Sequence, residues 1–254
     1  VCERTDEDAE EDEGPGTTWA AERQVACGFY YTPDPKPPKW WAKPRRLWFQ
    51  VARWLISIGY AKTELQARRW AEKHGGDAGK ALAAWERVKK EFEPRFVPVW
   101  LSTAALERAK RWGRQAPGIV FVDHRAFAAR LSAETGWAWF AEKGRDARGR
   151  EIDALYPLGT AATETVIASR FACGKGRNLQ AWNRAYFTGP PSNGRDAEQN
   201  YGRIHRDGQW RPTEITLIDA CPAHRGDLQK VLALSEDELL TMGRTNAILS
   251  ATWR

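Results

Sequence analysis

The sequence has few cysteines and no long apolar run. Its four cysteines, Cys2, Cys27, Cys173 and Cys221, are scattered and form no C-x-x-C pair. This spacing argues against zinc binding and disulfides, and it is typical of a reducing compartment. No run of 18 or more apolar residues occurs, so we expect no membrane span, and no signal peptide is visible.

Two catalytic signatures are also missing. No G-x-x-x-x-G-K-[ST] phosphate-binding loop occurs, and no apolar strand leads into a D-E-x-H box or a similar acidic metal-binding segment. The nearest lookalike, residues 75–81, has the wrong glycine spacing and lacks the Ser or Thr, so we interpret it as a loop between two helices. Paired carboxylates, a metal cluster and a Ser/His/Asp constellation are equally absent from the pattern.

Charge is divided unevenly along the chain. The formal net charge is +6, but residues 1–16 hold eight acidic residues and one basic residue, so the remainder carries +13. A basic body of this size attracts polyanions such as nucleic acid, although cations are also common on surfaces that bind no phosphate. The acidic run from Glu3 to Glu13 has no preceding apolar strand, which predicts a solvated, disordered segment.

The pattern divides the chain into an acidic disordered tail (1–22), a proline-rich segment with a helical insertion (23–95), and an α/β lobe with a closing helix (96–254). Prolines in the second segment forbid a long helix before residue 45: Pro33, Pro35, Pro37, Pro38 and Pro44. Two apolar stripes then predict helices: Leu47, Val51, Trp54, Leu55 and Ile58, followed by Leu82, Trp85, Val88 and Phe92. Their helical spacing favours tryptophans as core anchors over base-stacking platforms, with Trp40 and Trp41 left open.

From about residue 96, strands and helices alternate. Strands are predicted at 119–122, 137–140, 165–169, 184–187 and 214–219. Helices are predicted at 103–112, with Gly113 as the stop, at 125–135, and from near residues 196 and 223. This alternation predicts an α/β fold with a mainly parallel sheet, helices on both faces, and ligands beyond the carboxyl ends of the strands.

Three segments that follow strands carry candidate binding residues. The glycine-rich turn 174–178 offers backbone N–H groups and cations that could cradle phosphate, or it is a plain turn. If the segment QNYGRIHRDGQ (199–209) is helical, Gln199, Arg203 and Arg206 fall within a sector of about 60°. Two guanidinium groups on one stripe suit a planar anion such as phosphate, whereas the alternative is a basic helix facing solvent or a nucleic acid backbone. In the third segment, Asp123-His124-Arg125, Asp123 could simply be a helix N-cap.

Two motifs, in their order and spacing along the chain, closely resemble those of a known family, and an earlier segment fits the same family. The strand leading into G-x-G-x-N-L-Q, and the later Q-x-x-G-R-x-H-R-x-G-Q, resemble motifs V and VI of superfamily-two helicases, in the Swi/Snf-like branch that includes many phage helicases. The strand 119–122 and the residues after it resemble motif IV. The resemblance is most specific over residues 165–209 and extends more loosely from about residue 23 to the C-terminus.

The resemblance implies the second RecA-like lobe of a DNA helicase, with RNA not excluded. It implies that Arg203 and Arg206 reach ATP bound on the first lobe, with Gln199 and Gly202 at the same interface. It also implies nucleic acid contacts by these residues: His124, Arg125, Gly174, Lys175, Gly176, Arg177 and Asn178. ATP and Mg²⁺ would be bound mainly by an upstream RecA-like lobe, which would be the protein partner. The implied location is the cytoplasm, that of the host if a phage encodes the chain.

Because the first-lobe signatures are missing and the chain begins with Val1, we expect a fragment of a larger ATP hydrolase that is inactive alone. Two alternatives stay open. The chain could be a degenerate lobe that binds nucleic acid or a partner protein without hydrolysing ATP, or it could be the motor part of a restriction or remodelling complex.

Overall fold

The structure is a computed structural model that describes residues 15–173, 176–191, 194–205 and 209–242. The chain forms two compact units, one comprising residues before Tyr31 and after Val99, the other comprising Tyr31–Val99. The sequence pattern places the corresponding boundaries earlier, at residues 23 and 95. No helix within the described residues is long and apolar enough to cross a membrane.

The α-helices of the described residues are α1 (Pro15–Ala26), α2 (Lys39–Ser57), α3 (Glu64–His74), α4 (Gly76–Val88), α5 (Ala104–Gln115), α6 (Arg125–Thr135), α7 (Arg170–Cys173), α8 (Gly194–Tyr201) and α9 (Pro222–Met242). The strands are β1 (Phe29–Pro33), β2 (Phe96–Trp100), β3 (Ile119–Val122), β4 (Trp139–Phe140), β5 (Val166–Ser169), β6 (Arg184–Phe187) and β7 (Glu214–Leu217). β1 pairs with β2, and the other five strands form one sheet.

The five-stranded sheet confirms the predicted α/β fold. Its order is β4-β5-β3-β6-β7, and all four neighbouring pairs are parallel. The central strand β3 places Ile119 opposite Val166 on one side and opposite Ala185 on the other. All four residues of β3 are buried, as expected for a strand that is covered on both faces.

Helices cover both faces of this sheet because successive strand residues point to opposite sides. On one face, Phe187 stacks on Phe121 with 4.7 Å between ring centroids and meets Tyr201 of α8 at 5.3 Å. On the other face, Tyr186 meets Trp112 of α5 at 5.4 Å. Neighbouring residues of β6 therefore contribute to two separate apolar layers, one on each face of the sheet.

The predicted helix stop at Gly113 is wrong. Helix α5 continues through Gly113 to Gln115. A Cβ atom at Gly113 would lie 2.3 Å from the Trp137 ring and 2.9 Å from Cγ2 of Thr165. The glycine therefore allows close packing inside the helix, a role that is not visible in the local sequence.

The predicted disordered tail ends earlier than residue 22. Helix α1 begins at Pro15, a residue type that suits the first position of a helix. The Glu22 carboxylate accepts a hydrogen bond from the Ala223 N–H at 3.1 Å, and Arg23 forms an ion pair with Asp227. These contacts attach α1 to α9, whereas the acidic run from Glu3 to Glu13 lies outside the described residues.

The Tyr31–Val99 unit contains three helices, and the longest corrects two expectations. Helix α2 begins at Lys39 and contains Pro44, although the prolines predicted irregular structure there. Pro44 removes one backbone hydrogen bond from the helix. Burial of an aromatic face offsets that loss, and this face includes Trp41, which meets the Trp85 ring at 5.2 Å.

The buried face of α2 also differs from the predicted stripe. Its buried residues are Trp41, Trp48, Ala52 and Leu55, whereas Leu47, Trp54 and Ile58 are exposed. The second predicted stripe is confirmed, because Leu82 and Trp85 of α4 are buried and Val88 and Phe92 pack against the same core. The supposed loop at residues 75–81 is a single cap residue, Gly75, between α3 and α4.

Candidate functional site at the carboxyl edge of the sheet

The segments that follow β3 and β5 meet at the carboxyl edge of the sheet. Asp123 directly follows β3, and Arg170 directly follows β5. Their side chains form an ion pair with 2.5 Å between Arg170 Nε and Asp123 Oδ1. The N-cap interpretation of Asp123 is wrong, because the cap position of α6 is His124 and makes no side-chain cap hydrogen bond. Asp123 instead joins two neighbouring strand ends.

His124 and Arg125 differ in exposure. The His124 imidazole is partly buried and meets the Phe29 ring edge-on at 5.4 Å. Burial lowers the pKa of His124, the Arg170 and Arg23 charges lower it further, and Asp123 opposes the change. Arg125 is the first residue of α6 and is exposed. Of these two candidates, Arg125 is the one that presents its charge to solvent.

The glycine-rich turn follows β5 and α7. Gly174 and Lys175 lie outside the described residues, whereas Gly176 is exposed with a φ of 75°. The Arg177 guanidinium forms an ion pair with Asp153, 2.6 Å from Nη1 to Oδ1, and donates a hydrogen bond to the Lys143 carbonyl. The turn is therefore held by Arg177.

Asn178 continues this turn and is exposed. Its Oδ1 accepts a hydrogen bond from the Gln180 N–H at 3.3 Å. A Cβ atom at Gly144 would lie 2.3 Å from the Arg177 guanidinium carbon. The missing side chain of Gly144 is thus a condition for the position of Arg177.

The predicted helical stripe of Gln199, Arg203 and Arg206 is wrong as a geometry. Helix α8 ends at Tyr201, and Gly202 begins a turn, as the low helix propensity of glycine favours. Gln199 therefore lies on the helix and Arg203 beyond its end, whereas Arg206 lies outside the described residues. A Cβ atom at Gly202 would lie 3.0 Å from the Glu198 carbonyl oxygen.

Arg203 contacts the glycine-rich turn directly. Only 7 % of Arg203 is exposed, and its Nη1 donates a hydrogen bond to the Arg177 carbonyl at 3.3 Å. In the reverse direction, the Leu179 N–H donates to the Arg203 carbonyl at 3.2 Å. The two candidate segments, separated by about 25 residues of sequence, are therefore bound to each other.

Gln209, the last residue of the quoted segment QNYGRIHRDGQ, strengthens this connection, although the sequence assigned it no role. Its Nε2 lies 2.9 Å from the Gln180 carbonyl and 3.1 Å from the carbonyls of Trp182 and Ile204. The same amide thus contacts both the chain after the glycine-rich turn and the chain after Arg203. No local periodicity signals this role, because two of the three partners are backbone atoms 29 and 27 residues earlier in the chain.

A buried ionic contact at the start of α9 was also missed. Asp227 is 1 % exposed, and both Nε and Nη2 of Arg23 donate to its Oδ2, at 3.1 and 2.5 Å. Nearby, burial lowers the pKa of His224, with the Arg23 charge as the second cause. Burial likewise raises the pKa of the Cys27 thiol to about 12, so this cysteine stays protonated.

The candidate side chains at this edge include Arg125, Arg177 and Arg203, a residue type that suits an anionic ligand. Within the described ranges, no three His, Cys, Asp or Glu side chains converge as metal ligands. A cavity of about 90 Å³ lies beside the glycine-rich turn and is lined partly by Asp153, Asn178 and Trp182. Small-molecule sites usually measure about 300–1,000 Å³. The candidate residues fit a nucleotide only in part, because Arg203 is buried and its guanidinium donates a hydrogen bond to the Arg177 carbonyl.

The fold and this edge define an α/β protein in which candidate anion-binding segments follow parallel strands. Among solved structures, the chain is similar to the C-terminal part of the Fun30 ATPase domain, with 17 % identity and a TM-score of 0.38 over 72 % of this chain. It is also similar to the Pyrococcus furiosus Hef helicase domain, with 14 % identity and a TM-score of 0.30 over 70 % of this chain. The similar regions span 65 % and 35 % of those two chains. At these scores, neither similarity assigns a function.

No protein-family model matches the chain, and no curated protein sequence matches it.

Proposed function

We propose that this chain is the second motor lobe of an ATP-dependent nucleic acid helicase or translocase. The observation that carries the proposal is the direct contact between Arg203 and the glycine-rich turn at Arg177, at the carboxyl edge of a parallel sheet. A motor needs a mechanical connection between its nucleotide contact and its nucleic acid contact. These two segments are the ones that resemble helicase motifs V and VI, to which those two contacts are assigned.

In this proposal, the candidate nucleic acid contacts are His124, Arg125, Gly174, Lys175, Gly176, Arg177 and Asn178. Arg125 and Asn178 support it best, because both are exposed. The His124 imidazole, whose pKa burial lowers, would contact nucleic acid as a neutral group. Arg177 serves mainly to hold the turn, since its guanidinium is paired with Asp153. DNA is the proposed polymer, with RNA as the alternative substrate.

Arg203 and Arg206 are the proposed arginines at the nucleotide interface, with Gln199 and Gly202 beside them. Bound ATP and Mg²⁺, held mainly by an upstream RecA-like lobe, would supply the free energy of hydrolysis. Arginines that stabilise transferred phosphoryl groups in other hydrolases raise rates by about 10³–10⁵. Arg203 in its observed position instead joins the turn to the α8 end, so we assign it a positioning role between the two contacts.

The test is an ATPase assay on a chain extended upstream to include a complete first lobe. We expect turnover that single- or double-stranded DNA stimulates, and we expect Arg206→Ala to abolish it while the folded state is preserved. Absence of a phosphate-binding loop upstream, or near-normal turnover in Arg206→Ala, would contradict the proposal.

One observation favours a second candidate, a lobe that binds nucleic acid or a partner without hydrolysing ATP. The buried Arg203 guanidinium donates to a backbone carbonyl, which is the arrangement expected of a purely structural arginine. An extended chain that binds DNA and shows no ATPase activity would select this candidate. An upstream nuclease or methyltransferase sequence beside an active ATPase would instead indicate the motor part of a restriction or remodelling complex.

A further inference from the structure

Helix α2 presents a second apolar face that its own unit does not cover. Trp40, Leu47 and Trp54 recur every seven residues and are 49 %, 44 % and 54 % exposed. At about 100° per residue, this stripe lies about 110° around the helix from the buried face. Ile58, 44 % exposed, continues the stripe just beyond the end of α2. An apolar row of this length on a polar surface marks an interaction site.

A row of cations runs beside this stripe. Lys39, Lys43, Arg46 and Arg53 are all exposed, and they lie about 90° around the helix from the tryptophans, on the side away from the core. Helix α2 carries five Lys or Arg residues and no Asp or Glu. The whole Tyr31–Val99 unit holds 15 basic and seven acidic residues, a net charge of +8, so its field attracts a polyanion.

We propose that this face of α2, defined by Trp40, Leu47, Trp54 and the adjacent cations, binds single-stranded nucleic acid. The two indole rings would stack on unpaired bases, and the cations would contact the phosphates. Exposed aromatic rings beside a basic groove form the usual platform for single strands. The distance along α2 between the two tryptophans is about 21 Å, which spans several nucleotides.

Charge decides between this ligand and a partner helix. A partner helix could also pack against residues with this seven-residue spacing. It would then need acidic residues beside its apolar stripe, because α2 carries cations and no Asp or Glu. A nucleic acid strand carries one phosphate per nucleotide, and every base offers a flat surface to an indole. The site lies on the Tyr31–Val99 unit, whereas the parallel sheet and the glycine-rich turn belong to the other unit, so its binding can be tested without ATP hydrolysis.

The test measures fluorescence anisotropy of a labelled single-stranded oligonucleotide titrated with the 254-residue chain. Trp54→Ala should weaken binding roughly five- to hundredfold, the effect of losing one stacked base, and Trp54→Phe should restore most of the affinity. Phe96→Ala removes another exposed aromatic residue of the same unit, 56 % exposed, and should leave affinity unchanged.

The phosphate contacts are tested by salt dependence. The double variant Lys43→Gln/Arg46→Gln should reduce the slope of log affinity against log salt by about 1.4, because each lost contact to a single strand accounts for about 0.7. The matched control Lys73→Gln/Lys80→Gln removes the same charge from exposed positions on α3 and α4 and should leave the slope unchanged.

Three outcomes would overturn the inference. Equal losses in the α2 variants and their controls would indicate general electrostatic attraction. Affinity that is insensitive to Trp54→Ala, together with a change from dimer to monomer in sedimentation, would show that the face binds a second copy of the chain. Absence of oligonucleotide binding would exclude the site directly. An inactive ATPase in the extended chain would refute the proposed function while leaving this binding result intact.

Discussion

Replacing Arg203 with alanine should disturb the glycine-rich turn as well as any nucleotide contact. Arg203 is 7 % exposed, and its guanidinium donates to the Arg177 carbonyl at 3.3 Å. A buried hydrogen bond from a charged donor contributes about 1.5–3 kcal/mol, and its loss leaves the carbonyl without that partner. We therefore expect Arg203→Ala to lower the free energy of unfolding by about that amount.

Urea unfolding of the 254-residue chain, followed by circular dichroism, measures this loss. Arg225→Ala is the matched control, because Arg225 is 63 % exposed in its side chain and pairs with the exposed Asp219. An exposed ion pair contributes only about 0–1 kcal/mol. Hydrogen exchange should also accelerate around residues 177–181 in Arg203→Ala and stay unchanged in Arg225→Ala.

The same variant separates two mechanisms in an extended, active chain. If Arg203 acts only on the nucleotide, Arg203→Ala should reduce ATP turnover and leave nucleic acid affinity intact. Because Arg203 holds the turn, we expect both to fall. Equal unfolding midpoints for Arg203→Ala and Arg225→Ala, with unchanged nucleic acid affinity, would refute the reasoning from the structure.

Three further predictions concern stability and binding. Gly113→Ala should lower the unfolding free energy by about 1–3 kcal/mol, since the new methyl group would overlap the Trp137 ring; an unchanged urea midpoint would contradict this packing. Burial lowers the pKa values of His124 and His224 below 6.5, so the unfolded chain takes up protons first and stability should fall as pH decreases below about 6.5. His224→Gln should flatten this decline between pH 7.5 and 5.5, and an identical decline in both proteins would exclude the assignment. Lys175→Ala together with Arg177→Ala should weaken DNA binding and reduce its salt dependence, whereas an unchanged slope would remove the glycine-rich turn from the interface.

The five strands of the parallel sheet were predictable because each contains a short apolar run, whereas β1 and β2 were not predicted. β3 and β6 have the predicted bounds, and β4, β5 and β7 are shorter than predicted by one or two residues. When helical segments alternate with such apolar runs, the runs are buried most readily as strands of a sheet that the helices cover. Helix α6 was also predicted at its observed bounds, and the structure ends it at Gly136, which adopts the left-handed conformation.

Helix faces and helix ends were less predictable. Both faces of α2 carry apolar residues, so periodicity alone selected the stripe at Leu47 and Trp54, which is exposed. We expected a helical stripe that includes Arg203, but α8 ends at Tyr201 and a turn follows it. Either alternative was compatible with local propensity, and contacts with distant residues decided between them.

The amino-acid sequence by itself determined the alternation of strands and helices, the basic character of the body and the segments that follow the strands, because these depend on local composition and periodicity. Only the tertiary structure decided that Arg203 contacts Arg177, that Asp123 joins Arg170 and that the Trp41 face of α2 is buried. Each of these depends on atoms that are distant along the chain, and their free energy is gained only when the packed elements bring them together.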